Sequence, residues 1–282
     1  GRTRRDRGVG VMPDAKLSVQ AVAARELVTV ARSRAALALF AAVTVVVVGV
    51  AFTGNADPRY LPTTVDLLLP LEVVVPAVAV ALGYRTIAAD ARRGELDVLE
   101  TYPLSTTGYV GGVFVGRAIA VTLVLGVPLL LVGVGLGLTT TESPTVLTAQ
   151  RGVDSPLVFV RFTVLTLLYA NVVLAMALAA SALARSRQSA LVLAVVVLGV
   201  VVVGLDLLVL RGFVGGTVGT DQLTTALALS PTSAYRGLVF ETVISTAVGT
   251  ETRQAAPLLS GVGLVLWTGL SFVVTTAALA SR

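Results

Sequence analysis

The chain has 282 residues, 55% hydrophobic and 13% charged, with a formal net charge of +5 and a mean hydropathy of +0.91. Soluble domains carry about 25% charged residues, so the composition defines an integral membrane protein. The absence of Cys and His excludes disulfides, thiolate chemistry and the usual imidazole base or metal ligand.

Residues 1–34 are basic and form the first unit. Arg2, Arg4, Arg5 and Arg7 read as a solvated tail. From Leu17 onward Val19, Val22, Ala23, Leu27 and Val30 recur at helical spacing among charged residues. This predicts an amphipathic helix on the cytoplasmic surface with its basic side toward lipid phosphates; a plain extension of the first span is the alternative. The long polar leader argues against a cleaved signal peptide.

Residues 35–282 form the second unit, a single six-helix transmembrane domain. A span needs roughly 20 apolar residues, and six stretches qualify: Ala35–Thr53, Val65–Gly83, Val113–Leu138, Leu157–Leu183, Ala190–Leu210 and Pro257–Ala280. Each must be helical despite its Val content, because lipid offers no partner to an unpaired backbone amide. The predicted fold is therefore an all-α membrane protein. With both termini inside, fifteen basic residues lie on the inner side against six outside, which places the N and C termini in the cytoplasm. The outer segments are then 54–64, 139–156 and a long one, 211–256. After Ser230-Pro231 that last segment keeps helical spacing through Tyr235, Leu238, Val239, Thr242 and Val243. It is either an interfacial or re-entrant helix capped by Thr232 or Ser233 or a loop hairpin packed on the other outer loops.

Within the spans, Glu72 stands out. A carboxylate near mid-bilayer costs about 2.5–3.5 kcal/mol on insertion scales. It is read as lining a cargo path or an interface between two copies, together with Asn171. A structural hydrogen bond to Asn171 or Tyr169 is the plainer reading. Pro70 and Pro76 flank it and can kink that helix. Asp66 and Asp206, near span ends, are expected to reach toward the interface. Gly111-Gly112 and Gly133-x-Gly135-x-Gly137 permit close helix approach, and Trp267 carries no site argument.

The polar stretch from Tyr84 to Arg117 holds eight charged residues, Arg85, Asp90, Arg92, Arg93, Glu95, Asp97, Glu100 and Arg117. Ile87–Arg93 should prolong the second span, and Gly94 should break it. Glu95–Tyr102 should form a short helix with Leu96, Val98 and Leu99 on its apolar side. Pro103 stops that helix, and Ser105 or Thr106 caps the next. An ordinary loop has no need of apolar residues at helical spacing, so residues 84–112 are read as a coupling segment that docks a soluble partner.

The order Arg93, Gly94, Leu96, Leu99, Pro103, Leu104, Ser105 and Gly116 resembles the signature of ABC-2 type (type-2 ABC) transporter permeases. L-E-V-V-V-P-A-V-A-V-A-L-G-Y and L-S-P-T-S-A-Y-R-G-L, the latter with Pro231, Tyr235 and Arg236 as an outer-loop motif, resemble the NosY-like branch, which assists copper-site maturation in nitrous oxide reductase. Asp90-Ala91, Thr106 and Arg117 depart from the usual pattern. The resemblance implies a permease subunit in a prokaryotic plasma membrane, paired with a second copy of itself. It also implies two copies of an ABC ATP-binding subunit and an outer surface open to an extracytoplasmic protein. ATPase coupling would fall to Arg93, Gly94, Glu95, Leu96, Leu99, Glu100, Pro103, Leu104 and Ser105. The only lysine is Lys16 and there is no G-x-x-x-x-G-K-[ST], so ATP and Mg belong to the partner and the chain is expected to bind no cofactor or nucleic acid and to catalyse nothing itself. The alternatives are a secondary transporter using Glu72, a membrane anchor or scaffold, and a membrane enzyme. The last is disfavoured by the lack of His, Cys and paired carboxylates within a span.

Overall fold

The computed structural model describes residues 15–53, 59–94, 105–139, 154–220, 222–245 and 257–281. Among these the chain is helical throughout. α1 is Ala15–Ala31, α2 Arg34–Thr53, α3 Tyr60–Gly83, α4 Thr86–Arg92, α5 Thr106–Thr139 and α6 Pro156–Leu183. α7 (Arg187–Gly199) runs through a π-helical turn, Val200–Gly204, into α8 (Leu205–Val214). α9 is Leu223–Ala228, α10 Pro231–Val239 followed by a second π turn, Phe240–Ile244, and α11 is Pro257–Ala280. Six spans result, several of them longer than predicted: α3 with α4 covers Tyr60–Arg92, α5 begins at Thr106, and α7 with α8 covers Arg187–Val214.

α6 is the hub. From Val172 to Ala182 every residue is buried, as expected of a helix apolar on all sides, and its Ala-rich surface lets α3 and α11 approach closely. The other contacts follow from small residues meeting large ones. Toward the end of α5, Gly133 faces Phe159, Gly135 the ring of Phe52 and Gly137 the hydroxyl of Tyr60. Gly112 and Gly116 of α5 seat α1. A Cβ on Gly112 would stand 2.8 Å from Val22 Cβ, and one on Gly116 would stand 2.6 Å from the Ala23 carbonyl oxygen. α1 is thus a separate helix, broken from α2 at Arg32-Ser33 and packed on the end of α5. Its exposed basic residues are Arg25 and, just beyond it, Arg32 and Arg34.

Helix ends are closed by side chains, one of them from a distant position. Asp154 accepts the Leu61 amide at the start of α3 (2.7 Å), Ser105 accepts the Gly108 amide at the start of α5 (3.1 Å), and Ser186 and Ser189 form a reciprocal capping box on α7. Gly94 adopts a φ of +70°, a left-handed conformation that ends the helical run after α4 and that glycine tolerates at least cost. The coupling segment therefore narrows at both ends, because residues 86–92 belong to α4 and 106–112 to α5. Its centre, with Glu95, Leu96, Leu99, Glu100, Pro103 and Leu104, lies outside the described residues.

Candidate functional site

The turn at Tyr84-Arg85, between α3 and α4, frees backbone groups that burial would leave costly. Ser181 of α6 accepts the Ala88 amide at 3.2 Å. The Leu82 carbonyl accepts from the Thr86 hydroxyl at 3.3 Å and from Arg117 Nη1 at 3.0 Å. With both sides of the break satisfied, α4 is held as a fixed continuation of α3.

Around this elbow sits the first cluster. Glu26 and Asp90 are 3% and 2% exposed, and neither is left alone. Arg117 donates through Nε to Glu26 Oε2 at 2.8 Å. Arg25 Nη2 reaches both Glu26 Oε1 (2.9 Å) and Asp90 Oδ2 (2.8 Å). Arg93 Nη2 donates to Asp90 Oδ1 at 2.6 Å, and the Tyr109 hydroxyl donates to Asp90 Oδ2 at 2.7 Å. Burial alone would make Arg25 easier to deprotonate, but the adjacent Asp90 and Glu26 outweigh it and hold its guanidinium more firmly charged than usual. One network thus ties α1, α4, α5 and the residue before Gly94. Sequence reasoning missed it. Arg25 was expected to face lipid phosphates and instead turns toward two carboxylates, because a buried acid has far more to gain from a guanidinium than water-exposed phosphates do.

Near the middle of α3 lies the second cluster. Glu72, 5% exposed, receives Arg236 through both arms of the guanidinium: Nε to Oε1 at 2.7 Å and Nη2 to Oε2 at 2.6 Å. This fork geometry is the strong form of an Arg–carboxylate pair. Asn171 and Tyr169, the expected partners, do not reach Glu72. Asn171 donates to the Leu167 carbonyl of its own helix, and its Oδ1 is buried without a partner. Pro76 lacks the N–H that would bond the Glu72 carbonyl, so α3 is loosened where its acid sits.

Arg236 arrives on α10, so the segment after Ser230 is a packed helix and not a loop hairpin: Ala234 and Tyr235 are fully buried. The helix is anchored residue by residue. The Tyr235 ring stacks on Tyr169, centroids 4.8 Å apart. Thr232 donates to the Val201 carbonyl at 2.7 Å, within the π turn of the fifth span. Its proton is thereby used, so Tyr169 donates to Thr232 at 2.8 Å. By the same logic Thr166 donates to Phe162 and Tyr235 donates to Thr166 at 2.9 Å. Thr232 and Ser233 do not cap the helix as expected. Ser230 takes the cap position, and Ser233 bonds Asp206 at 2.8 Å, giving that acid an internal partner. Trp267 also has a role: it donates to the Leu229 carbonyl at 2.7 Å, one turn beyond Gly263, whose missing side chain admits Ala228 against α11. Pro231, Tyr235 and Arg236, grouped by sequence alone, thus share one helix, and Arg236 meets Glu72 across 164 positions.

Six helices long and apolar enough to cross a membrane, with buried ion pairs near the middle and at one end of the second, define a multi-pass helical membrane protein. The chain belongs to the ABC-2 family of transporters: residues 20–281 match the family described as ABC-2 family transporter protein. It is accordingly a permease subunit of an ABC transporter, whose family implies an ABC ATPase as partner. No curated protein matches the sequence.

Proposed function

We propose that this permease works with a second copy of itself and two ATPase subunits as a transmission, in which α3–α4 carries motion from a cytoplasmic docking segment to the re-entrant helix α10 on the outer side. One observation carries this reading: α4 ends in the Asp90 network immediately before residues 95–104, and α3 holds α10 through Glu72 and Arg236. ATP-driven closure of the ATPase subunits would move the docking segment, and the elbow sutured by Arg117 and Ser181 would pass that displacement to Glu72. Arg93, Gly94 and Ser105 bound the docking segment, and Glu95, Leu96, Leu99, Glu100, Pro103 and Leu104 form its grip. Such a device works only if the two states bind the partner differently. Arg236 leaves 40% of its side chain exposed, so it faces outward from one copy toward a cargo path or the second copy.

The narrower assignment to copper-enzyme maturation rests on the resemblance of two segments, one in α3 and one that forms α10. A sequence without Cys or His suits a conformational signal to an extracytoplasmic partner better than direct handling of copper by this chain. The test is Glu72→Gln in the complex reconstituted with its ATPase. The variant keeps the shape and loses the charge. Assembly should be unchanged and the ATPase rate altered at least twofold; an unaltered rate refutes transmission through this pair.

A further inference from the structure

Beside the Asp90 network a cavity of about 680 Å³ opens between α1, α2 and the α3–α4 elbow. Six arginines line it against two carboxylates, and both carboxylates are already engaged by Arg25, Arg93 and Arg117. Arg85, Arg92 and Arg187 also line it. All three are exposed, and among the described residues they form no ion pair. The opposite wall is apolar, with Val30, Ala36 and Leu39. Val30 and Ala36 also line an adjoining apolar groove of about 300 Å³, which continues along Phe40, Leu123 and Val127. The arginines stand near span ends: Arg85 lies in the turn after α3, Arg92 ends the second span and Arg187 starts the fifth. They therefore lie at headgroup depth, and the groove runs toward the hydrocarbon.

We propose that this cavity is a binding site for an anionic phospholipid, with its phosphate held by Arg85, Arg92 and Arg187 and one acyl chain in the groove. Compact negative charge attached to an apolar tail is the chemistry that satisfies both walls. A free phosphate would satisfy only the arginines, and an acidic protein surface would not enter the groove. Guanidinium forks match phosphate oxygens in pairs, and uncompensated arginines at this depth gain from an anionic leaflet.

The test uses the full chain in nanodiscs of phosphatidylcholine and phosphatidylglycerol, with retained lipid read by native mass spectrometry. The wild-type protein should enrich phosphatidylglycerol. Arg85→Gln/Arg92→Gln/Arg187→Gln should lower that enrichment roughly 100-fold, at about fivefold per arginine. Arg187→Gln alone should lower it about fivefold, which covers failure of the triple variant to fold, and Arg211→Gln should leave it unchanged. Undiminished enrichment in the triple and single variants overturns the site. Displacement by inorganic phosphate as readily as by the lipid overturns the lipid assignment in favour of a free anion. Loss of the lipid when the ATPase subunits bind assigns the arginines to protein docking and also overturns it.

Discussion

The pair between Glu72 and Arg236 makes an asymmetric prediction. Arg236→Leu leaves the Glu72 carboxylate, with 7% of its side chain exposed, unpaired in an apolar setting. Breaking a buried pair in this direction costs about 3–5 kcal/mol. Glu72→Leu leaves the guanidinium instead, and with 40% of that side chain exposed water can replace the lost acceptor. The cost then falls toward that of an accessible pair, about 1 kcal/mol. Removing both charges in Glu72→Leu/Arg236→Leu should be less damaging than Arg236→Leu alone, because replacing a whole buried pair by apolar groups is often neutral. The coupling from the double-mutant cycle should therefore be at least about 2 kcal/mol. Unfolding of the purified full chain in mixed micelles, titrated with denaturing detergent, measures all four proteins; each 1.4 kcal/mol is about a tenfold change in the folded-to-unfolded ratio. Equal costs for the two single variants, or an additive double variant, would refute the arrangement.

The seat of α1 predicts that Gly116→Ala, whose Cβ would meet Ala23 and Glu26 at 2.6 Å, destabilises by about 1–3 kcal/mol through overpacking. Gly111→Ala, with no atom within 4 Å of its Cβ, should be neutral or stabilising by about 0.5–1 kcal/mol, both read from thermal unfolding in detergent. Leu96→Asp with Leu99→Asp should release the ATPase from the purified complex while the permease stays folded; unchanged stoichiometry in a pull-down contradicts docking there. The chain has no cysteine, so a single cysteine at Thr107 should resist an impermeant thiol reagent in intact cells while one at Thr220 reacts, and reversed labelling would invert the topology.

The spans and the break at Gly94 were legible because hydropathy and glycine act locally. The turn at Tyr84-Arg85 was not, since nothing in Y-R-T-I marks it, and Ser181 and Arg117 stabilise it from distant positions. Glu72 could be singled out by its burial cost, but its partner could not. The notion that a neighbouring span must supply that partner excluded α10, which was being read as an outer segment. The missed signal was Arg236 itself, a charge inside an otherwise apolar helical pattern and opposite in sign to the one unexplained charge in the spans. Asp90 and Arg117 were noticed as departures from the family pattern. Their structural meaning required knowing that α1 folds back onto Gly112 and Gly116, which brings Glu26 within reach of Arg117.

The ion pairs made by Glu26, Glu72 and Asp90 could each have been replaced whole, acid and arginine together, by apolar residues at little cost to stability, since buried ion pairs seldom outperform good packing. What they do instead is join elements that packing alone would leave free to slide: α1 to α5, α4 to both, and α10 to α3. Apolar contacts between helices are non-directional and tolerate a shift of register, whereas a bidentate fork or a carboxylate shared by three donors has one arrangement and loses most of its energy when displaced. An element that must move as a unit between two positions gains from such joints. α3–α4 carries Glu72 and Asp90, while Glu26 binds the arginine that sutures its elbow. The distribution of buried charge therefore follows the path along which the proposed motion would travel, and the spans that lie mostly exposed, α2, α7–α8 and α11, carry no such joint among the described residues.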